Sequence, residues 1–210
     1  MTASRIPADR FDWVGGAPAL DFNNTVSWTS GALTDEQIDS YEALLTWAGA
    51  AQMLSPASVT GLRRVARRNP AAARRVLARA HRLRGALHQI FWAAAMGSRP
   101  EREALDLFET FLHQAAAHLR LAPSENQWTW QWKPDGRRLD QALWQVTWAA
   151  AELLSSPESA LLKVCAGEDC GWVFLDRSRN QARRWCDMKT CGNTEKARRH
   201  YRRVKADADR

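Results

Sequence analysis

The sequence predicts a mainly α (α+β) protein: a mostly helical domain with a small β-hairpin over residues 1–157, then a compact four-cysteine module over 158–210. Three observations predict it. Apolar residues recur at helical spacing through most of the chain before Ser155. Period-two alternation is confined to one tryptophan-rich stretch, and all four cysteines lie between 165 and 191. At 210 residues the chain has room for one ordinary domain plus a small module. Hydrophobic residues at 45% and charged residues at 25% place it in the globular range.

The elements follow in order. From Phe11 to Thr25, turn glycines Gly15 and Gly16 precede a loop or short strand that leads into a helix. Thr34 and Gln37 have the spacing of a capping box, and Ile38, Tyr41, Leu45 and Ala48 then recur on one helical face. Ser55-Pro56 and Asn69-Pro70 each restart a helix, because proline is tolerated at the first helical position. The second of these is long, with Leu77, Ala80, Leu83, Leu87, Ile90 and Phe91 on its apolar side. Ser98 and Glu101 form another capping box before Leu105, Phe108, Leu112, Ala115 and Leu119. Trp128, Trp130 and Trp132 alternate with polar residues as in a half-buried strand, and Lys133 to Gly136 supply turn chemistry for a hairpin. Residues 139–155 return to helix, with Leu143, Val146, Ala150 and Leu153 inward. Pro157 marks the boundary.

The cysteines are spaced Cys165-x4-Cys170-x15-Cys186-x4-Cys191. Paired thiols in a reducing compartment point to metal before disulfides. Two short-spaced pairs supply four sulfurs about 2.3 Å from one tetrahedral centre, and four protein ligands close a zinc site, making it structural. Four incidental thiols are the competing reading. Residues 171–176 suit one arm of a hairpin, 177–182 a turn, and Arg183 to Trp185 the approach to the second pair. Asn193 or Thr194 then offers an N-cap and Glu195 suits the helix dipole. Knuckle, hairpin, knuckle and helix together make a treble-clef-like arrangement. One zinc ion per chain is expected on Cys165, Cys170, Cys186 and Cys191.

No long apolar run is present, and the residues after Arg5 do not read as a secretory signal, so a cytoplasmic protein without membrane contact is expected. The net charge is +7, and residues 163–210 hold 13 Lys or Arg against 7 Asp or Glu. That local excess calls for an acidic partner, with nucleic acid the commonest. A solubilising tail is the bland alternative.

The stretch from Cys165 through Gly171-Trp-Val-Phe-Leu-Asp-Arg-Ser-Arg-Asn180, then Arg183-Arg-Trp-Cys186 to Cys191-Gly-Asn193 and Lys196-Ala-Arg-Arg-His-Tyr201, resembles the CGNR zinc-finger family. Upstream, Gly15-Gly16, Leu20-Asp-Phe22, Asn24-Thr25 and the tryptophan hairpin are similar to the ABATE domain that precedes such fingers. The resemblance implies zinc on the four cysteines and a stress-induced transcription regulator whose finger binds DNA. One departure stands out: the arginine that gives the finger its name is Thr194 in this chain. Either the chain forgoes a phosphate contact there, or Thr194 replaces a knuckle brace as a helix cap.

Lys196, Arg199 and Arg203 fall along one helical face, with Arg198, Arg202 and Lys205 on an adjacent stripe and Arg183 and Arg184 near the helix start. These eight are the expected contacts to nucleic acid, duplex DNA foremost, through counterion release. A solvated helix paired with acids of the first domain is the alternative. Tyr201 and Val204 are expected to pack the helix onto the hairpin, with His200 at the surface.

Arg63, Arg64, Arg67, Arg68, Arg74, Arg75, Arg79, Arg82 and Arg84 form a second basic run with no acid among them. It reads first as the solvated side of amphipathic helices and second as an extension of a nucleic-acid surface. Trp144 and Trp148 read as core before ligand pocket. No HExxH, GxSxG, Walker loop or GxGxxG is present, so no catalytic site and no enzyme is expected. The N-terminal domain is expected to sense a small-molecule or protein signal, or to mediate association such as a homodimer. Rivals to DNA binding are a zinc-stabilised protein-interaction module and an RNA binder using Trp172 or Phe174 as a stacking platform.

Overall fold

The computed structural model describes residues 8–29, 32–125, 127–133 and 138–208. Six helices build the first part: α1 (Pro18–Asn23), α2 (Tyr41–Ala50), α3 (Pro56–Arg68), α4 (Pro70–Ala95), α5 (Arg102–Ala116) and α6 (Gln141–Ser155). Two antiparallel strand pairs accompany them, β1 (Ser27–Thr29) with β2 (Ala32–Thr34), and β3 (Leu119–Ser124) with β4 (Gln127–Trp132). The C-terminal part holds β5 (Leu162–Val164) paired antiparallel with β6 (Val173–Leu175), a π-helical turn at Met188–Gly192, and α7 (Asn193–Ala208). The chain is thus mainly α with small hairpins.

Helix α4 is the axis of the molecule, in contact with α1, α2, α3, α5, α6, β5 and β6. Its Ala80, Leu83, Leu87, Ile90 and Phe91 are buried, as their spacing requires. Around it Phe22, Trp47, Leu62 and Leu143 are almost fully enclosed. Each such side chain stabilises the fold by roughly 1.5–3 kcal/mol through the apolar surface it removes from water. The same cluster takes in Leu162, Val173 and Leu175, so the two segments of the chain share one core.

The two proline starts are where the sequence puts them: Ser55 and Asn69 accept hydrogen bonds from the amides of Ser58 and Ala72. Both capping boxes fail. Thr34 lies in β2, and α2 is capped by Ser40, which accepts from the Ala43 amide. Gln37, needed to close the box, donates to Asp12 instead. Ser98 bonds Ala93 O at the end of α4, leaving α5 without a side-chain cap. The segment from Phe11 to Thr25 contains α1, a helix of six residues.

The tryptophan strand exists, but its partner lies upstream. Leu119, Leu121 and Pro123 stand opposite Trp132, Trp130 and Trp128, which ends α5 at Ala116 instead of Leu119. The expected turn at Pro134 to Gly136 lies outside the described residues. This hairpin leaves Leu121, Trp128 and Trp130 exposed. Trp144 is buried and stacks on His118 with ring centroids 3.6 Å apart. Trp148 lines a shallow groove with Phe108, Leu112 and Leu154.

Candidate metal centre and basic helix

The four cysteines arrive from two loops. Cys165 and Cys170 sit in the connection between β5 and β6, whose ends are closed by the Cys165 amide donating to Trp172 O at 2.8 Å. Cys186 lies just before the π-helical turn and Cys191 within it, and Asp187 caps that turn by accepting from the Lys189 amide. The Ala166 amide donates to Arg184 O, tying the two loops together. The strand pair therefore encloses the first cysteine pair, and the residues after Asp176 form the turn that delivers the second.

All four sulfurs lie within 4.8 Å of one another, and none is in a disulfide. The Cys170–Cys186 and Cys186–Cys191 Sγ separations are both 3.6 Å. Sulfurs 2.3 Å from a tetrahedral centre stand about 3.8 Å apart, so the observed edges fit one zinc ion. Cys165, Cys170 and Cys186 are buried and Cys191 half-buried. Hydrogen bonds from Cys170 and Cys186 hold the Cys165 thiol far below its ordinary value. The contact with Cys165 pushes Cys170 and Cys186 up, and burial pushes Cys191 up. Four thiolates this close repel strongly, so full ionisation calls for a cation among them. Zinc bound there supplies a crosslink between the two loops.

Asp176 organises the surrounding loop. Its carboxylate is buried and accepts from Lys163 Nζ at 2.7 Å, from the Ser178 amide at 3.0 Å and from the Arg183 amide at 2.9 Å. The Lys163 ammonium, followed by Ser178, holds it well below the usual carboxylate range.

The module is fastened to the first domain. Both polar atoms of the buried Asn24 amide bond Val173, its nitrogen to the carbonyl at 2.9 Å and its oxygen to the amide at 3.2 Å. The Leu175 amide donates to Gly15 O, and Trp172 Nε1 donates to Val26 O. The Trp28 amide donates to Cys170 O at 3.0 Å, and its ring stacks on His88 of α4 at 3.7 Å. Gly171 has φ +67°, and a Cβ there would collide with the Trp28 backbone.

The eight basic residues expected to meet nucleic acid divide into two kinds. Arg183 turns inward: it donates to Trp185 O and Cys186 O and covers the Phe174 ring at 4.4 Å. Arg198 pairs with Glu168, Asp169 and Glu195, and Arg202 with Glu168, which ties α7 to the first knuckle. Arg184 is exposed and lies over Trp185, while Lys196, Arg199, Arg203 and Lys205 are exposed with no acidic partner among the described residues. Thr194 is exposed at the start of α7, and the cap falls to Asp187, seven positions earlier in the turn. Tyr201 and Val204, expected against the hairpin, are 70% and 52% exposed instead, because α7 projects from the turn and touches the body through Arg198 and Arg202. Phe174 is fully buried and offers no stacking platform, while Trp172 is half-buried with its Nε1 bonded to Val26 O.

Trp28 escaped the sequence reading, as did the roles of Asn24 and Asp176, which it placed only within the family-like motifs. Asp176 with Ser178 carried a local turn signal. Nothing in the pattern links Asn24 to a strand 149 positions away.

Two family matches coincide with this architecture. Residues 16–157 match ABATE, described as "Putative stress-induced transcription regulator". Residues 162–204 match the CGNR zinc finger. No curated protein matches the chain. Neither family is named for catalysis, and no helix among the described residues is long and apolar enough to cross a membrane. With four thiols converging at zinc-compatible distances inside the finger region, the chain belongs to the ABATE family and carries a CGNR zinc finger for one structural zinc ion.

Proposed function

We propose that this protein is a cytoplasmic DNA-binding transcription regulator, with Cys165, Cys170, Cys186 and Cys191 as the zinc ligands and α7 as the duplex-contacting element. The observation that carries the reading is the split of charges on α7. Arg198 and Arg202 are neutralised by Glu168, Asp169 and Glu195, while Lys196, Arg199 and Arg203 face solvent on a neighbouring stripe. Paired arginines orient the helix, and unpaired ones are available to release counterions from phosphates. Arg184 and Lys205 extend the contact surface. Arg183 contributes by bracing the second knuckle.

Residues 1–157 take the role of sensing a signal or mediating association, and residues 158–210 that of the finger. The exposed Leu121, Trp128 and Trp130 support an associating role for the first part. The family description supports regulation. Burial of Phe174 removes one of the two aromatic platforms an RNA reading would use.

Changing both Arg199→Ala and Arg203→Ala tests the reading. Duplex binding at low salt should weaken by tenfold or more. The log–log salt slope should fall by about two, near 0.9 for each phosphate left without its arginine. The circular dichroism and zinc content should stay unchanged. Unaltered retention in a gel-shift assay would turn the finger into a protein-docking module.

A further inference from the structure

Between Glu42 and Glu101 every Asp, Glu, Lys or Arg of the chain is an arginine. The structure sorts those on α3 and α4 by direction. Three turn inward onto partners: Arg63 onto Glu42, Arg79 onto Asp140, and Arg84, 2% exposed, onto Glu36. Six turn outward: Arg64, Arg67 and Arg68 on α3, and Arg74, Arg75 and Arg82 on α4. None of the six has an ion-pair partner among the described residues. The face of α3 they occupy is opposite buried Val59 and Leu62, so packing does not require their charge. Asn69-Pro70 folds the two helices into a corner and gathers Arg67, Arg68, Arg74 and Arg75 within nine residues of chain.

We infer that this α3–α4 corner is a second surface for the phosphate backbone of duplex DNA, acting with the finger; the inference rests on the DNA-binding reading above. One observation favours DNA over an acidic protein: the corner lies on α4, the helix that packs against the finger strands β5 and β6. Trp28 links the first knuckle to His88 of α4, and Arg74 is fourteen residues before His88 on that helix. At 1.5 Å per residue the two points are about 21 Å apart along the axis. Concentrating like charges at a corner without acids is self-repulsive, and phosphates relieve that repulsion.

The test compares the native zinc-loaded protein, the pair Arg199→Ala with Arg203→Ala, and the corner set Arg67→Gln, Arg68→Gln, Arg74→Gln and Arg75→Gln. Each is titrated against one duplex of about 30 base pairs over a salt series. A further set with lysine at the same four positions keeps the charge, and circular dichroism checks the fold. For the corner set the salt slope should fall by about two to four and low-salt affinity by tenfold or more. The lysine set should retain most of both. Corner variants that bind as the native protein does, beside a weakened α7 pair, would overturn this inference and leave the functional reading standing. An acidic protein as the true partner would give that same result. Loss in the corner set with an unaffected α7 pair would overturn the finger as the grip, and with it a corner that acts beside the finger. Native protein that binds no duplex would overturn both.

Discussion

Both polar atoms of Asn24 bond the backbone of one finger residue, Val173, and its N–H and C=O are left stranded if the amide is removed. Asn24→Ala should therefore cost roughly 2–4 kcal/mol, the penalty for stranding buried backbone groups. The midpoint of denaturant unfolding reads that loss directly. Gly171→Ala should act at the same seam, because the left-handed φ and the Trp28 backbone both exclude a Cβ. His88 gives the seam a pH dependence. Burial lowers its pKa from 6.5 to about 4. Between those values the unfolded chain holds a proton that the folded chain does not, so stability falls as pH drops through that window. Asp21 works in the opposite sense: burial raises its pKa from 3.8 to about 6, so its cost is relieved over nearly the same interval. The two partly cancel in the native protein. His88→Phe, which keeps a ring against Trp28, should lose the His88 component, on the order of 2–3 kcal/mol between pH 7 and pH 4. Parallel stability curves for variant and native protein across that range would refute the assignment.

At the scale of elements, helices were legible wherever proline and a side-chain cap stood together, as at Ser55-Pro56 and Asn69-Pro70. Caps inferred from spacing alone were not, because Gln37 reaches Asp12 across the fold and Ser98 closes the end of the preceding helix at Ala93 O. The β4 strand was legible from its alternation. Its partner was hidden because Leu112, Ala115 and Leu119 continue the helical period past the true end of α5. In the finger the cysteines announced themselves by spacing. The division of labour on α7 did not, since Arg198 and Arg199 look alike in sequence and differ only in whether Glu168 and Asp169 lie within reach. Arg198→Ala should consequently differ from Arg199→Ala. The first should loosen α7 on the knuckle, seen as faster amide exchange in α7, and the second should weaken duplex binding without changing exchange.

At the scale of the whole molecule, the finger is continuous with the domain before it. Leu162, Val173 and Leu175 belong to the same apolar cluster as Phe22 and Leu87, and Trp28 joins Cys170 to α4. The sequence divides the chain at Pro157, and composition gives no hint that one core runs across that point. Chelation of the metal should therefore be felt beyond residues 162–204: amide exchange in α1 and around His88 of α4 should quicken together with loss of finger structure. A change confined to the finger would argue for an independent module. The central claim is that a zinc-braced basic helix grips duplex DNA, and it is tested most directly by following duplex binding of one preparation through removal and return of the metal. We predict one zinc per chain at the start, loss of binding on chelation, and recovery with one equivalent of zinc. Duplex binding that persists unchanged in protein shown to be free of metal would contradict it.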